Sequence, residues 1–336
     1  MLDGLQNQAY RGSVTAQASV AVLPDSLSTG ELMDMCSVES RRLARAPAAG
    51  VTRGGRALAL ALLSLGLALL PLPANSGENP ADKPAEAWPV TVQARYRLRY
   101  NGINVGRLNV DSNATAKTYS ISGSAKLSVL FGALKWSGSS SVSGAIEGGA
   151  PAPATYAFDW RQNKKGGTID MGFKNRVAAE IAVKPQPRNR PDSVPLTQEH
   201  KVGTLDPMSA ILMLTKADER PPCDRRVGIF DGKQRYDIVF TPKRLTRLPP
   251  PSGGGPLETA HVCRIMYEPV AGHRANADTK AYASNRDAEI VLRRIPGSEM
   301  LIPYSVTIPT SWGTGSMVTE RIDIVTAAAG KIAFTD

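Results

Sequence analysis

Histidine and cysteine are nearly absent, with 3 of each in a chain of 336 residues. A zinc-type centre needs several such ligands at short spacing, and only His261-x-Cys263 offers even two together. No metal site and no cofactor is therefore expected. The sequence holds no Walker-type phosphate loop, no EF-hand pattern and no G-x-S-x-G nucleophile elbow. Aromatic residues make up 6% of the chain, so a core must rest on aliphatic side chains. No basic stretch is interleaved with aromatics in the manner of a nucleic-acid-binding module, and no nucleic-acid partner is expected.

Turn-forming residues and positive charge, by contrast, are plentiful. Gly 30 and Pro 25 predict many chain reversals, and Lys+Arg 40 against Asp+Glu 30 leave a net charge of +10. The first 74 residues hold nearly balanced charge, so the excess belongs to the chain beyond Ala74. Two readings remain open for it: an anionic partner such as an envelope lipid or glycan, or merely a basic surface.

Residues 1–50 show no periodicity and read as a disordered leader, or as the product of a start codon placed too early. Residues 51–74 read as a secretory signal peptide. Arg53 and Arg56 precede the apolar run Ala57–Leu70, and the small Ala74 follows it. Leu72 departs from the small residue preferred two positions before the cleavage-site alanine. The run is shorter than the roughly 20 residues of a membrane span, so no stable transmembrane span is expected after cleavage; a retained anchor is the competing reading. Residues 75–89 are rich in Pro, Ala and charge, and read as a flexible linker.

Export makes sense of the cysteines. With Cys36 outside the fold, Cys223 and Cys263 form an even pair suited to a disulfide in an oxidising compartment. The alternative is a metal site at His261-x-Cys263.

From residue 90 the pattern is β. Val90, Val92, Ala94, Tyr96, Leu98 and Tyr100 alternate with Thr91, Gln93, Arg95, Arg97 and Arg99, which predicts a half-buried strand with an outward arginine stripe. Asn101-Gly102 turns it, and a phase change near Gly106 calls for a β-bulge. Further alternating runs follow through Tyr156/Phe158/Trp160, a turn at Lys164–Gly167, and Ile169/Met171/Phe173. Asp206-Pro207 supplies an N-cap and a first-turn proline for one short helix near 206–217, with Met208, Ile211, Leu212 and Thr215 inward. Asp231-Gly232 predicts a hairpin with positive φ at both turn positions. Arg235 is placed to pair with Asp231 or Asp237. Thr241–Arg247 and the Pro/Gly run after it read as a mobile basic loop, and residues 277–286 are ambiguous. The expected fold is mostly β: an antiparallel meander curled into an open barrel or two-layer sandwich, one domain over 90–326, then a tail at 327–336.

Four spaced pieces resemble an uncharacterised family of exported bacterial proteins known only as a periplasmic domain of unknown function. They are Tyr100-Asn101-Gly102-Ile103-Asn104-Val105-Gly106; Asp206-Pro207-Met208-Ser209-Ala210; Cys223 with Phe230-Asp231-Gly232-Lys233-Gln234-Arg235-Tyr236-Asp237; and Cys263-x-x-x-Tyr267-x-Pro269-x-Ala271-Gly272. The resemblance implies export, a largely β fold and an envelope setting, and brings no catalytic residues.

The leading expectation is a non-catalytic periplasmic protein that binds an apolar, amphipathic or anionic envelope component, or another envelope protein, in the concave face. An envelope hydrolase using His261 or His273 is the alternative; a Ser209/Asp206 site would have only His200 nearby in sequence. A purely structural scaffold is the third reading. Mass spectrometry of alkylated protein from the periplasm is expected to show a start near Asn75 and no free thiol at Cys223 or Cys263; an uncleaved leader with free thiols would overturn the export reading.

Overall fold

Strict alternation buries every second side chain of the first strand, β1 (Val90–Tyr100), and its neighbours repeat the pattern. A computed structural model describes residues 90–129, 132–188, 190–216, 221–250, 256–298 and 300–335. The expected leader (1–50), signal peptide (51–74) and linker (75–89) lie outside the described residues.

Two antiparallel meanders make the wall. The first comprises β1, β2 (Ile103–Ala114), β3 (Thr118–Val129), β4 (Leu134–Glu147), β5 (Ala150–Gln162), β6 (Lys165–Lys174) and β7 (Val177–Lys184). The second comprises β8 (Arg225–Phe230), β9 (Arg235–Leu248), β10 (Glu258–Ala271), β11 (Glu289–Arg294), β12 (Leu301–Thr310) and β13 (Gly313–Thr326). They join where β1 pairs along β13, giving the order β7-β6-β5-β4-β3-β2-β1-β13-β12-β11-β10-β9-β8. The sheet is mostly antiparallel β, as the alternation implied, and of the two forms expected it takes the barrel, nearly closed, rather than the two-layer sandwich.

The two free edges, β7 and β8, do not pair with each other. The segment after a 3-10 turn at Glu199–Lys201 stitches them instead. Gly203 donates its amide to the Arg176 carbonyl at 2.8 Å on the β7 side. On the β8 side, Leu205 donates to the Gly228 carbonyl at 3.0 Å and Phe230 donates back to Leu205 at 2.9 Å. This chain segment substitutes for a strand and satisfies edge groups that would otherwise invite foreign pairing. Across the same seam, the β8–β9 turn presses on β6. A Cβ at Gly232 would stand 2.5 Å from Ile169 Cγ2, and Gly232 has φ +95, so only glycine fits there.

Several expectations hold in detail. Asn101 and Gly102 both take positive φ (48 and 81), the two-residue hairpin turn that their residue types favour. The β1–β2 register slips between Leu98 and Arg99, which places the bulge at Val105 beside Gly106. Helix α1 (Pro207–Leu214) begins at the Asp206 cap. Cys223 and Cys263 are joined, spanning 40 residues.

Others are corrected. At Asp231-Gly232 only the glycine has positive φ. Asp231 instead accepts the Lys233 and Gln234 amides at 2.8 and 2.7 Å, an Asx-type turn set by its carboxylate. The turn placed at Lys164–Gly167 falls earlier, at Asn163-Lys164, because Asn163 adopts φ 50 and Lys165–Gly167 already belong to β6. Thr241–Arg247 is not a loop but the second half of β9, paired with β10 up to Leu248↔Glu258. The ambiguous 277–286 stretch contains a second helix, α2 (Ala277–Ser284), started by the Asn276 side chain capping Thr279 at 3.0 Å. The expected tail carries a fourteenth strand, β14 (Gly330–Thr335). It takes the edge of β13 beyond Val318, where β12 has diverged.

The bridge ties the segment before β8 to β10 across β9, so it fastens one free edge of the sheet to its third strand. Closing a loop of this size contributes about 4 kcal/mol on the chain-entropy model. Reduced protein, or the Cys223→Ala/Cys263→Ala variant, is expected to unfold at a clearly lower urea midpoint than oxidised protein. Coincident midpoints would show that the bridge does not constrain the seam.

Candidate functional site

Helix α1 lies inside the wall, near the end bounded by the β2–β3, β4–β5 and β11–β12 turns. Its last turn is bonded to the wall, Leu301 donating its amide to the Thr215 carbonyl at 2.7 Å. Its first turn is held by Asp206. One carboxylate oxygen accepts the amides of Met208 and Ser209 at 2.9 and 3.0 Å; the other accepts the Ser209 hydroxyl in a short bond. With the serine proton so committed, Tyr119 of β3 donates its phenol to Ser209 Oγ at 2.6 Å.

Asp206 and Ser209 are fully buried. Burial lifts the Asp206 carboxyl to about 6, against the opposing pull of its hydrogen bonds. Burial likewise raises the phenols of Tyr119 and Tyr156, and the nearby Asp206 charge adds to both shifts. The Tyr119–Ser209–Asp206 chain therefore pins the helix to the wall. It has no imidazole in it.

The histidines are elsewhere. His200 Nδ1 accepts the Thr197 amide at 3.0 Å in the loop before the seam. His261 lies in β10, where burial and then Arg294 depress its pKa. His273 follows β10, its pKa lowered by burial against a backbone hydrogen bond. Among the described residues none of the three is hydrogen-bonded or ion-paired to a carboxylate, so the structure assembles no acid–base set around them. No group of three or more His, Cys, Asp or Glu side chains placed to hold a metal occurs among the described residues. Cys263 is committed to the disulfide, which removes the His261-x-Cys263 alternative.

Arg235 pairs with Asp237, not Asp231, in a short ion pair. Arg226 joins from β8, reaching Asp237 at 2.8 Å and Glu268 at 2.6 Å. These cross-strand pairs hold β8, β9 and β10 in register.

A cavity of about 190 Å³, almost wholly apolar, lies in the interior of the wall. Val110, Ile121 and Phe158 line one side, Ile302 and Met317 the other. Met208, Ile211 and Leu212 of α1 close one end, so the helix face expected to look inward does so. Gly123 and Ser140 are paired neighbours on β3 and β4, and their small side chains leave the space. A Cβ at Gly123 would come within 3.2 Å of Met208 Cε.

At the opposite end the inward side chains Leu108, Leu127 and Trp136 are only half-buried, so the interior reaches solvent there. Trp136 lines the cavity, and its indole N–H is buried without an acceptor among the described residues. Trp160 of β5 also has a buried indole N–H without an acceptor among the described residues, but it stands against Gly167 of β6 and does not line the cavity. Buried indole donors ordinarily find a partner. An unpaired donor on the wall of an apolar cavity fits a molecule whose tail is apolar and whose head accepts a hydrogen bond.

A family described as protein of unknown function (DUF3108) matches residues 95–319. The comparison with curated proteins found no match. The crystal structure of a β-barrel-like protein of a domain of unknown function, DUF1849, from Brucella abortus is similar at 11% identity. Its TM-score is 0.45, and the match covers 71% of this chain and 99% of that one.

The raised Asp206 carboxyl has a consequence for stability. Between the ordinary value of 3.8 and about 6 the folded state binds more protons than the unfolded state, so this group's contribution falls as pH rises through that window. The loss amounts to about 3 kcal/mol when complete. Asp206→Asn keeps an oxygen for the helix amides and removes the titration. The stability difference between wild type and variant, from urea unfolding, is expected to move in the variant's favour from pH 4 to pH 7. A difference flat with pH would show that the carboxyl titrates normally.

Proposed function

Starting from a chain that belongs to the DUF3108 family of proteins of unknown function, we propose that it is an exported, non-catalytic protein that binds an apolar or amphipathic molecule inside its β-wall. The observation that carries this reading is the apolar interior cavity. Native cores contain few voids larger than a water molecule, and about 150 Å³ already suffices to hold a benzene-sized guest.

The exterior supports the same assignment. Outward positions on β1 to β5 include Gln93, Arg95, Asn109, Ser120, Ser122 and Asp159, so the wall meets water and keeps its apolar face inside. That is the reverse of a lipid-embedded barrel, whose outer band is apolar. Placement in an oxidising compartment of the cell envelope is supported by the signal-like run before Ala74 and by the disulfide.

Purified protein is expected to take up a fluorescent fatty acid such as cis-parinaric acid. Ser140→Phe, which projects a ring into the cavity beside Gly123, should reduce uptake at least about tenfold, a loss in keeping with replacing the apolar contact area of the guest. Circular dichroism of the variant should stay unchanged. Absence of probe uptake by the wild type, together with no small molecule released on organic extraction, would sink the proposal.

A further inference from the structure

The open end of the wall carries two features that a water-facing rim does not require. The first is an apolar tip. The β1–β2 and β12–β13 turns are locked together there. Asn101 donates its amide to the Thr314 carbonyl at 2.9 Å and accepts the Thr314 amide at 2.8 Å, and the Tyr100 phenol donates to the Trp312 carbonyl at 2.8 Å. On these two rigid turns Ile103 is 71% exposed and Trp312 45% exposed. Neither is needed to make its turn, since the Asn101-Gly102 pair and Thr310 supply the turn chemistry.

The second is a row of like charge around the outside of the same end. The register sets Arg97 beside Arg107, Arg107 beside Lys126, Lys126 beside Ser137, and Ser137 beside Arg161. Cross-strand neighbours of like charge destabilise a sheet. Glu320 relieves only the β1–β2 part, lying 3.3 Å from Arg107 and 3.9 Å from Arg97. Nearer the rim, Lys135, Lys164 and Lys165 add to the row. Asn163 gathers them by bonding both the amide and the carbonyl of Lys135 at 3.0 Å, which sets the β5–β6 turn against the start of β4. All of these lysines are exposed.

We infer that this end docks on the surface of an anionic lipid bilayer, with Ile103 and Trp312 entering the interfacial layer and the basic row meeting the headgroups. The two features fit one partner. An indole is at home at the boundary between hydrocarbon and water, and each lysine or arginine near an anionic leaflet contributes about tenfold or less to the affinity. The docked orientation turns the open end of the apolar cavity toward the bilayer. An amphipathic guest can then pass between membrane and protein with little exposure to water. This orientation rests on the binding function proposed above; the docking itself does not.

The test is co-sedimentation of the full-length mature protein with vesicles of phosphatidylglycerol and phosphatidylcholine, against vesicles of phosphatidylcholine alone. Wild type is expected on the anionic vesicles only, and to be released by salt. Lys126→Glu/Lys135→Glu/Lys164→Glu should weaken binding at least about tenfold. Its melting temperature should be unchanged or raised, because Lys126→Glu places an acid directly beside Arg107. Ile103→Ser/Trp312→Ala should bind more weakly while keeping the salt dependence. Equal binding to neutral vesicles, no binding to either, or full binding by the charge-reversed variant would overturn the inference. Cis-parinaric acid uptake from solution separates the two readings. The charge-reversed variant should retain it, so loss of vesicle binding alone strikes only at docking. Loss of uptake alone strikes only at the cavity.

Discussion

A sheet that curls without closing has two unpaired edges, and everything else in this molecule depends on how they are satisfied. Here the edges are β7 and β8, and the connection between the two meanders is itself the patch. Residues 202–205 bond to both strands and then enter α1 through Asp206, so edge closure and helix placement are one event. The helix cannot leave the interior without opening the seam, and the seam cannot shift without moving the Asp206 cap. The disulfide reinforces the β8 side of the same junction, and the Gly232 turn leans on β6 across it.

That arrangement explains why the polar groups that look most like an active site are structural. Asp206, Ser209 and Tyr119 form a continuous hydrogen-bonded chain, which at the level of residue types invites a catalytic reading. Their burial and the commitment of the serine proton to the capping carboxylate make them the anchor of the helix. The binding function proposed above belongs to the other end, where the inward side chains Leu108, Leu127 and Trp136 are only half-buried. Tight polar anchoring at one end and loose apolar packing at the other are complementary, because a wall held firmly at its seam can tolerate unfilled space elsewhere.

Much of the wall was legible in the alternation of β1, the Asn101-Gly102 turn and the Asp206-Pro207 helix start, because each is a local signal with a local cause. What escaped was set by distance in space. The basic second half of β9 looked like a loop because Lys243 and Arg244 have no local reason to be in a strand; their partner is Glu289, at 3.0 and 2.7 Å, on β11. Helix α2 has no buried residue, so it carries no apolar stripe to read. Parity showed which side chains face inward, but not that those near Gly123 and Ser140 fail to fill the space. The arginine stripe of β1 could be seen along the chain, whereas Arg107, Lys126 and Arg161 become neighbours only through register.

The order of strands also constrains how the molecule is made. Nearly every strand pairs with its neighbour in sequence, so each meander can zip up locally at low loop-closure cost. The exception is β1, whose second edge waits for β13, more than two hundred residues later. A chain that folds from its N-terminus onward therefore holds a long strand half-paired until β13 arrives. The arginines of that strand repel other copies of it during this interval, and so act as guards against aggregation. The same side chains that face outward on the finished wall thus give the half-paired strand a charged edge before the wall exists.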